Sequence, residues 1–204
     1  MHTGVTIHRG PYETIPPTAS PGLLFLQRFL PATDSLDPNK LSISPFFTPN
    51  APIIVGSNPP SATSGTIPLL QVRGRQVAQF HHEVHIAWDM DLNRETGAVN
   101  AMTDTATGPN TGTPFAPLTG GVLVKRTVMF EATSETVFKQ DPDQFPVKVR
   151  EFNILDLEGN SLDDLQIVEM RIFSDSRPVQ ARAAELHKSS AFGDGATQEA
   201  PQSL

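Results

Sequence analysis

The chain has 204 residues, a length that suits one domain, and it carries a formal net charge of −7 and no cysteine. The acidic balance argues against a basic patch for nucleic acid, and the lack of cysteine excludes disulfides, thiolate nucleophiles and cysteine-bound metals. No apolar run is long enough for a signal-peptide core or a membrane span. We therefore expect a soluble cytoplasmic protein with no nucleic-acid partner and no membrane partner.

The first part of the chain predicts a loose arm followed by three helices and one strand. Residues 1–19 contain Pro, Thr and Gly without a period, which is typical of a flexible N-terminal arm. "PGLLFLQRFL" begins with Pro21 at a helix-entry position, and its apolar residues recur at helical spacing. "SLDPNKLSISPFF" predicts a second short helix with Asp37 as its N-cap. "APIIVG" predicts a strand, and "TIPLLQVRGRQVAQF" predicts a third helix capped by Thr66.

Beyond this point the hydrophobic period changes to two, which predicts strands in "HEVHIAWDMDL", "AVNAMTDTAT", "GVLVKRTVMFEA", "FPVKVREFNILDL" and "LQIVEMRIFSD". The turn signal "LEGN" predicts a hairpin between the last two strands. "SRPVQARAAELH" predicts a closing helix capped by Ser176, and residues 189–204 predict a disordered C-terminal tail. Helices followed by a meander of strands indicate an α+β fold.

This layout resembles the nuclear-transport-factor-2-like superfamily, and within it the SnoaL-like polyketide cyclase and isomerase branch. The segments that carry the resemblance are "LLFLQRFL", "LLQVRGRQVAQFHHEV", "VREFNILDLEGN" and "LQIVEMRIFSD". The resemblance implies a cone-shaped, strongly curved antiparallel sheet wrapped over three N-terminal helices, in a domain spanning residues 20–188. It also implies an apolar pocket, cofactor-free chemistry and a homodimer. The family's cyclases carry an acid three residues after the Glu of "IVE", where this chain has the apolar Ile172.

The stretch "FHHEVHIAWDMDL" suggests either a metal site or a strand. His81 and His85 would share a metal on a helix, but "HEVH" is one residue short of the H-E-x-x-H pattern and no third ligand is evident, so we predict no metal. Val84, Ile86 and Trp88 favour a strand. Strict alternation would then place His85 and Asp89 on one face, either in contact with water or flanking a substrate.

Four ionisable residues on the predicted strands are candidate catalytic groups: His85, Asp89, Arg126 and Glu131. Arg126 stands alone among apolar neighbours, and an unpaired buried charge is costly, so pairing with Glu151 or Glu169 is the alternative to substrate binding. An Arg–Asp pair around a water, as epoxide hydrolysis needs, could come from Arg126 and Asp89. The residues expected to line the pocket are Phe25, Phe29, Trp88, Phe115, Met170 and Ile172, with Phe115 in the long loop "GPNTGTPFAPLTGG".

Two functions remain open at this point. The first is a cofactor-independent isomerase, cyclase or dehydratase acting by acid–base chemistry on a hydrophobic polyketide or terpenoid intermediate of secondary metabolism. The alternative is a non-catalytic module of the same fold that binds a small molecule or acts as a scaffold, which the apolar Ile172 favours. Both functions use a hydrophobic small molecule as partner.

Overall fold

The computed structural model describes residues 4–37, 39–92 and 123–193, and the predicted strand in "AVNAMTDTAT" lies outside this part of the chain. The described strands are β1 (Val5–Arg9), β2 (Pro52–Val55), β3 (Ser61–Ala62), β4 (Val77–Asp91), β5 (Val124–Phe138), β6 (Val147–Gly159) and β7 (Gln166–Ser174). The described α-helices are α1 (Pro21–Asp34), α2 (Thr63–Gln76) and α3 (Arg177–Gly193). None of these helices has the length and apolarity needed to cross a membrane.

The described strands form one curved, unclosed sheet in the order β1-β4-β5-β6-β7-β2-β3. Strands β4 to β7 are a continuous antiparallel meander, and the predicted hairpin between β6 and β7 is confirmed. Strand β2 returns to pair in parallel with β7, while β1 covers only the second half of β4. Among the described residues, no strand pairs with the first half of β4 on the side away from β5, and we call this side the open edge of β4.

A β-bulge in β4 changes which side chains face the helices. Val84 lies opposite Ala132 and Ile86 lies opposite Glu131, so β4 contains one extra residue, His85, at this point. An extra residue reverses the alternation of the side chains that follow it. Val84 before the bulge and Ala87 and Asp89 after it are all buried. The expectation that His85 and Asp89 share a face was wrong for this reason.

Helix α1 packs its apolar face against the concave side of the sheet. Its buried residues include the four predicted from the helical spacing, Leu23, Leu26, Phe29 and Leu30, together with Gly22, Phe25 and Ala32. They meet inward-facing residues of the central strands, among them Val84, Ala87, Val128, Phe130, Ala132, Leu155 and Leu157. Burying large side chains in this way contributes about 1.5–3 kcal/mol each. The core therefore lies between α1 and the inner face of the sheet.

Four local predictions differ from the structure. Helix α3 runs to Gly193, so it includes residues 189–193 of the predicted tail. The segment "SLDPNKLSISPFF" forms no α-helix: Asp37 accepts a backbone hydrogen bond from Asn39 in a turn, and a single 3₁₀ turn follows at Ser44–Phe46. Helix α2 begins at Thr63 and ends at Gln76, because the next residues already belong to β4. Five residues of the predicted arm, Val5–Arg9, pair with β4 as an edge strand.

A buried ion pair fixes the start of α1 to the sheet. Arg126 Nε and Nη2 donate to the two carboxylate oxygens of Asp89 at 2.8 and 2.9 Å, and Arg126 Nη1 reaches Asp91 at 3.3 Å. Asp89 also accepts the backbone N–H of Gly22 at 2.9 Å. The N-cap residue Ser20 makes no side-chain capping bond, so Asp89 takes that role from the neighbouring strand.

Gly22 is required by this close approach. A Cβ atom at position 22 would collide with the Asp89 carboxylate and would lie 2.6 Å from Val128 Cγ2. Arg126 was expected to pair with Glu151 or Glu169, and the structure pairs it with Asp89 and Asp91 instead. The pairing follows from the bulge, because Asp89 reaches the inner face only after the alternation is reversed.

We expect Asp89→Ala to lower the free energy of unfolding by about 3–5 kcal/mol, because it leaves the Arg126 guanidinium buried without its bidentate partner. Glu131→Ala is the matched control, since the exposed Glu131–Arg150 pair should contribute about 1 kcal/mol or less. Urea unfolding followed by circular dichroism measures both. Equal losses in the two variants would contradict the structural role of Asp89.

Candidate functional site

A cavity of about 160 Å³ lies between α1 and the inner face of the sheet. Most of its wall is apolar, formed by Phe29, Leu30, Ile43, Phe47, Ile53, Val55, Phe80, Phe130, Met170 and Ile172. One end is polar and is formed by Thr33, Arg73, His82, Glu151 and Asn153. An apolar pocket with a few convergent polar groups is the usual form of a small-molecule site.

Asp34, the last residue of α1, holds the polar end together. Its Oδ2 accepts the backbone N–H of His82 at 3.1 Å, on the open edge of β4, where no strand of the described part of the chain takes that donor. The same oxygen accepts from His81 Nδ1 at 3.1 Å and from the Tyr12 hydroxyl at 3.3 Å. Its Oδ1 forms a short contact with His82 Nδ1. The carboxylate lies at the edge between the two sheet faces, so both adjacent histidines reach it.

His82 connects Asp34 to the cavity wall. Its Nε2 lies 3.1 Å from Oε1 of Glu151, and that oxygen also accepts from Asn153 Nδ2 at 3.0 Å. Since both ring nitrogens face carboxylate oxygens, both carry protons and the ring is an imidazolium. Glu151 is thereby fixed at the cavity surface by two donors.

The electrostatic balance favours a charged His82. Burial disfavours the imidazolium, but the hydrogen bonds to Asp34 and Glu151 and the charges of both carboxylates outweigh burial and raise the pKa of His82 to about 9. Burial, supported by the charge of Asp34, also raises the pKa of Tyr12. Tyr12 is therefore a neutral donor to Asp34 at physiological pH.

Arg73 completes the polar end from α2. Its Nη2 donates to the backbone carbonyl of Thr33, and its guanidinium carbon lies 3.9 Å from the centre of the Phe80 ring. Burial lowers the pKa of Arg73 to about 10, which still leaves it charged near neutrality. Gly74 allows this placement, because a Cβ atom there would collide with the backbone carbonyl of Leu36.

None of the four predicted catalytic residues lines this cavity. Asp89 and Arg126 form the buried pair at the opposite end of α1. His85 lies at the bulge and bonds Thr133 at 2.8 Å, and Glu131 pairs with the exposed Arg150 on the outer face of the sheet. Asp89 and Arg126 come together, whereas His85 and Glu131 remain apart from them.

The predicted substrate-binding residues divide between the two sheet faces. Phe29, Met170 and Ile172 line the cavity, and Ile172 contributes an apolar wall where the resemblance places an acid. Phe25 is buried in the core beside Phe29 and Phe46. Trp88 lies on the outer face against Phe152 because the bulge moves it there. Phe115 lies outside the described residues.

Sequence reasoning missed the polar end of the cavity, although one signal was present. In "VKVREFNILDL", Glu151 and Asn153 share a strand face with the buried residues Val149, Leu155 and Leu157. Polar side chains within an apolar strand face require a partner or a ligand. Their partners come from β4 and from the end of α1, which no local pattern connects with β6. Within residues 4–37, 39–92 and 123–193, no cluster of three or more His, Asp or Glu side chains is arranged to hold a metal ion.

Several solved structures share this architecture. The BvnE pinacolase from Penicillium brevicompactum aligns with a TM-score of 0.50 at 10% identity, over 82% of this chain and 94% of that one. PrhC from Penicillium brasilianum aligns with a TM-score of 0.51 at 12% identity, over 84% and 91%. The chain has the nuclear-transport-factor-2-like fold. The predicted fold class is confirmed.

The similarity to proteins of this fold lies in structure and not in sequence. A SnoaL-like protein from Jannaschia sp. aligns with a TM-score of 0.48 at 14% identity, over 81% of this chain and 92% of that one. No protein-family model matches the sequence, and no curated protein matches it significantly. Identities this low establish the fold alone, so the chemistry must be argued from the site.

We expect the stability of the protein to fall between about pH 6.5 and about pH 9, because folding raises the pKa of His82 above its ordinary value. The stabilisation by the charged His82 is complete below the pKa of this histidine in the unfolded chain, about 6.5. It is lost as the pH rises through the pKa of His82 in the folded protein, about 9. Asp34→Asn should reduce this slope and His85→Gln should retain it. Urea unfolding at several pH values measures the slope, and equal slopes in wild type and Asp34→Asn would reject the pairing.

Proposed function

We propose that this nuclear-transport-factor-2-like protein is a cofactor-independent isomerase, cyclase or dehydratase that acts by proton transfer on a small hydrophobic molecule. The observation that carries the proposal is the position of Glu151, a carboxylate held by His82 and Asn153 at the wall of an otherwise apolar cavity. The proposed substrates are polyketide or terpenoid intermediates.

Glu151 is the proposed general base. The contacts with His82 and Asn153 both fall on Oε1, so among the described residues Oε2 is left to take a proton from a ligand carbon. His82 and Asn153 fix the carboxylate in one orientation, and Asp34 in turn fixes the His82 ring. Positioning of this kind is what makes a single acid or base effective, with a typical contribution of about 10²–10⁴-fold.

The size of the cavity limits the part of a substrate that it can enclose. A cavity of about 160 Å³ is comparable to an engineered apolar cavity of about 150 Å³ that binds benzene. A six-membered ring therefore fits inside, next to Glu151. A larger polyketide or terpenoid would place one ring in the cavity and extend the rest outside it.

Binding without chemistry is the second candidate. It is favoured by the apolar Ile172 in the cavity wall, where the resemblance to SnoaL-like cyclases places an acid. In this alternative the Asp34–His82–Glu151 cluster only stabilises the fold. The two candidates differ in one measurable respect, since only the first requires a carboxylate that removes protons.

We propose that the outer sheet face forms a homodimer. Trp88, Phe152 and Phe173 make a row of rings with centroids 6.3 and 6.4 Å apart, and Phe173 is 47% exposed. Trp88 and Phe152 are half-buried beside it, and a partly exposed row of aromatic side chains is typical of protein interfaces. We expect sedimentation velocity to give a dimer for wild type and a monomer for Phe173→Asp. A wild-type monomer at micromolar concentration would reject the dimer.

Benzisoxazole tests the base directly. This small bicyclic molecule loses a proton from carbon as its N–O bond breaks, and it gives a cyanophenolate whose absorbance reports the rate. We expect Glu151→Gln to lower the rate by about 10²–10⁴-fold and His82→Gln to lower it by a smaller factor. Glu158→Gln, on the same strand but paired with Lys125, is the matched control and should keep the wild-type rate.

Two outcomes would contradict this assignment. A wild-type rate no higher than that of free acetate at the same concentration would favour the binding module. Loss of activity in His85→Gln with full activity in Glu151→Gln would assign the proton transfer to His85, on the outer face of the sheet, and not to Glu151. Circular dichroism of each variant checks that a lost rate is not a lost fold.

A further inference from the structure

Arg73 has an unusual environment for a charged side chain. It contributes to the cavity wall, yet within the described part of the chain it forms no ion pair. Its Nη2 bonds the Thr33 carbonyl, while its Nε is buried and has no partner among the described residues. The charges of Asp34 and Glu151 and the ring of Phe80 offset part of the cost of burying the guanidinium. The buried Nε donor still lacks an acceptor, and an unsatisfied buried donor is costly unless a ligand completes it.

The neighbouring charges define what such a ligand can be. The polar end contains two cations, Arg73 and His82, and two anions, Asp34 and Glu151, so their formal charges cancel. An anionic ligand would leave a net negative charge beside Glu151 in an apolar cavity. A neutral ligand with one oxygen acceptor would use the Nε donor of Arg73, which has no partner among the described residues, and would keep the charge balance.

We propose that the cavity takes a neutral carbonyl compound with a ring-sized apolar body, and that Arg73 binds its carbonyl oxygen. The apolar walls around Phe29 and Met170 hold the ring, and the guanidinium fixes the oxygen at the polar end. This inference deepens the proposed function and rests on it for the chemical step described next.

The two residues have complementary roles in that step. Glu151 takes a proton from the carbon next to the carbonyl; the C–H electron pair forms the C=C bond, and the carbonyl π pair moves to oxygen. The resulting enolate lies against the Arg73 guanidinium, which stabilises the new negative charge. Return of the proton from Glu151 to the same carbon regenerates the ketone, and its transfer to the enolate oxygen gives the enol, which is an isomer of the ketone. The total charge of the site is unchanged throughout.

Three ligands of similar shape test the binding part without any turnover. Cyclohexanone has the carbonyl, methylenecyclohexane replaces its oxygen by carbon, and cyclohexanecarboxylate is an anion. We expect wild type to bind cyclohexanone about tenfold or more tightly than methylenecyclohexane, since a hydrogen bond to a charged donor is lost in the latter. Cyclohexanecarboxylate should bind more weakly than cyclohexanone. Calorimetry measures all three, and the infrared C=O band of bound cyclohexanone should shift to lower frequency.

Arg73→Met should remove both the preference for cyclohexanone and the infrared shift, because it keeps the apolar stem and removes the donors. Arg75→Met is the matched control, since Arg75 is exposed on the same helix, and it should behave as wild type. If Arg73→Met does not fold, the wild-type ligand ranking and the infrared band still decide the question.

Several outcomes would overturn the inference in whole or in part. Tightest binding of cyclohexanecarboxylate, equal binding of the ketone and the alkene, or no binding of any ligand would reject a carbonyl site. A preference for the ketone that persists in Arg73→Met would reject the role of Arg73. A ketone preference that depends on Arg73, together with no benzisoxazole turnover, would support the binding site and reject only the acid–base chemistry.

Discussion

Between Val84 and Ile86, strand β4 has one residue more than the strand opposite, and the rest of the arrangement depends on that insertion. Before it, His82 and Val84 face the helices; after it, Ala87 and Asp89 do. A regular strand would place either His82 or Asp89 on the outer face, since they differ by an odd number of positions. The bulge lets one strand supply a buried charged group at each end of α1.

The two ends of α1 differ in their electrostatics. At its start, Asp89 accepts a helix N–H and faces the positive end of the helix dipole, which is favourable. At its end, Asp34 adds a negative charge where the dipole is already negative. The His82 imidazolium, the Tyr12 hydroxyl, the backbone N–H of His82 and the ring of His81 offset this cost. A carboxylate kept in an unfavourable position with several dedicated donors is typical of a functional site.

The Asp89–Arg126 ion pair and the polar end of the cavity differ in how much hydrogen-bonding capacity they leave for a ligand. Asp89 and Arg126 use their hydrogen bonds on each other and on Gly22, so they hold the helix to the sheet. Within residues 4–37, 39–92 and 123–193, Oε2 of Glu151 and Nε of Arg73 have no hydrogen-bond partner, and both residues contribute to the wall of the cavity. Spare hydrogen-bonding capacity in an apolar cavity, rather than charge alone, is what makes this end of the molecule the candidate site.

The sequence by itself determined the elements with strong periodicity: α1, the long strands, the β6–β7 hairpin and hence the α+β class, because these follow from local spacing. It also predicted Phe29, Met170 and Ile172 for the pocket. Only the tertiary structure decided that Asp34, His82 and Glu151 meet, since they come from α1, β4 and β6 and join through packing. The bulge at His85 could not be predicted from the sequence either. A bulge is defined by the pairing of two strands, and the sequence of one strand alone does not show it.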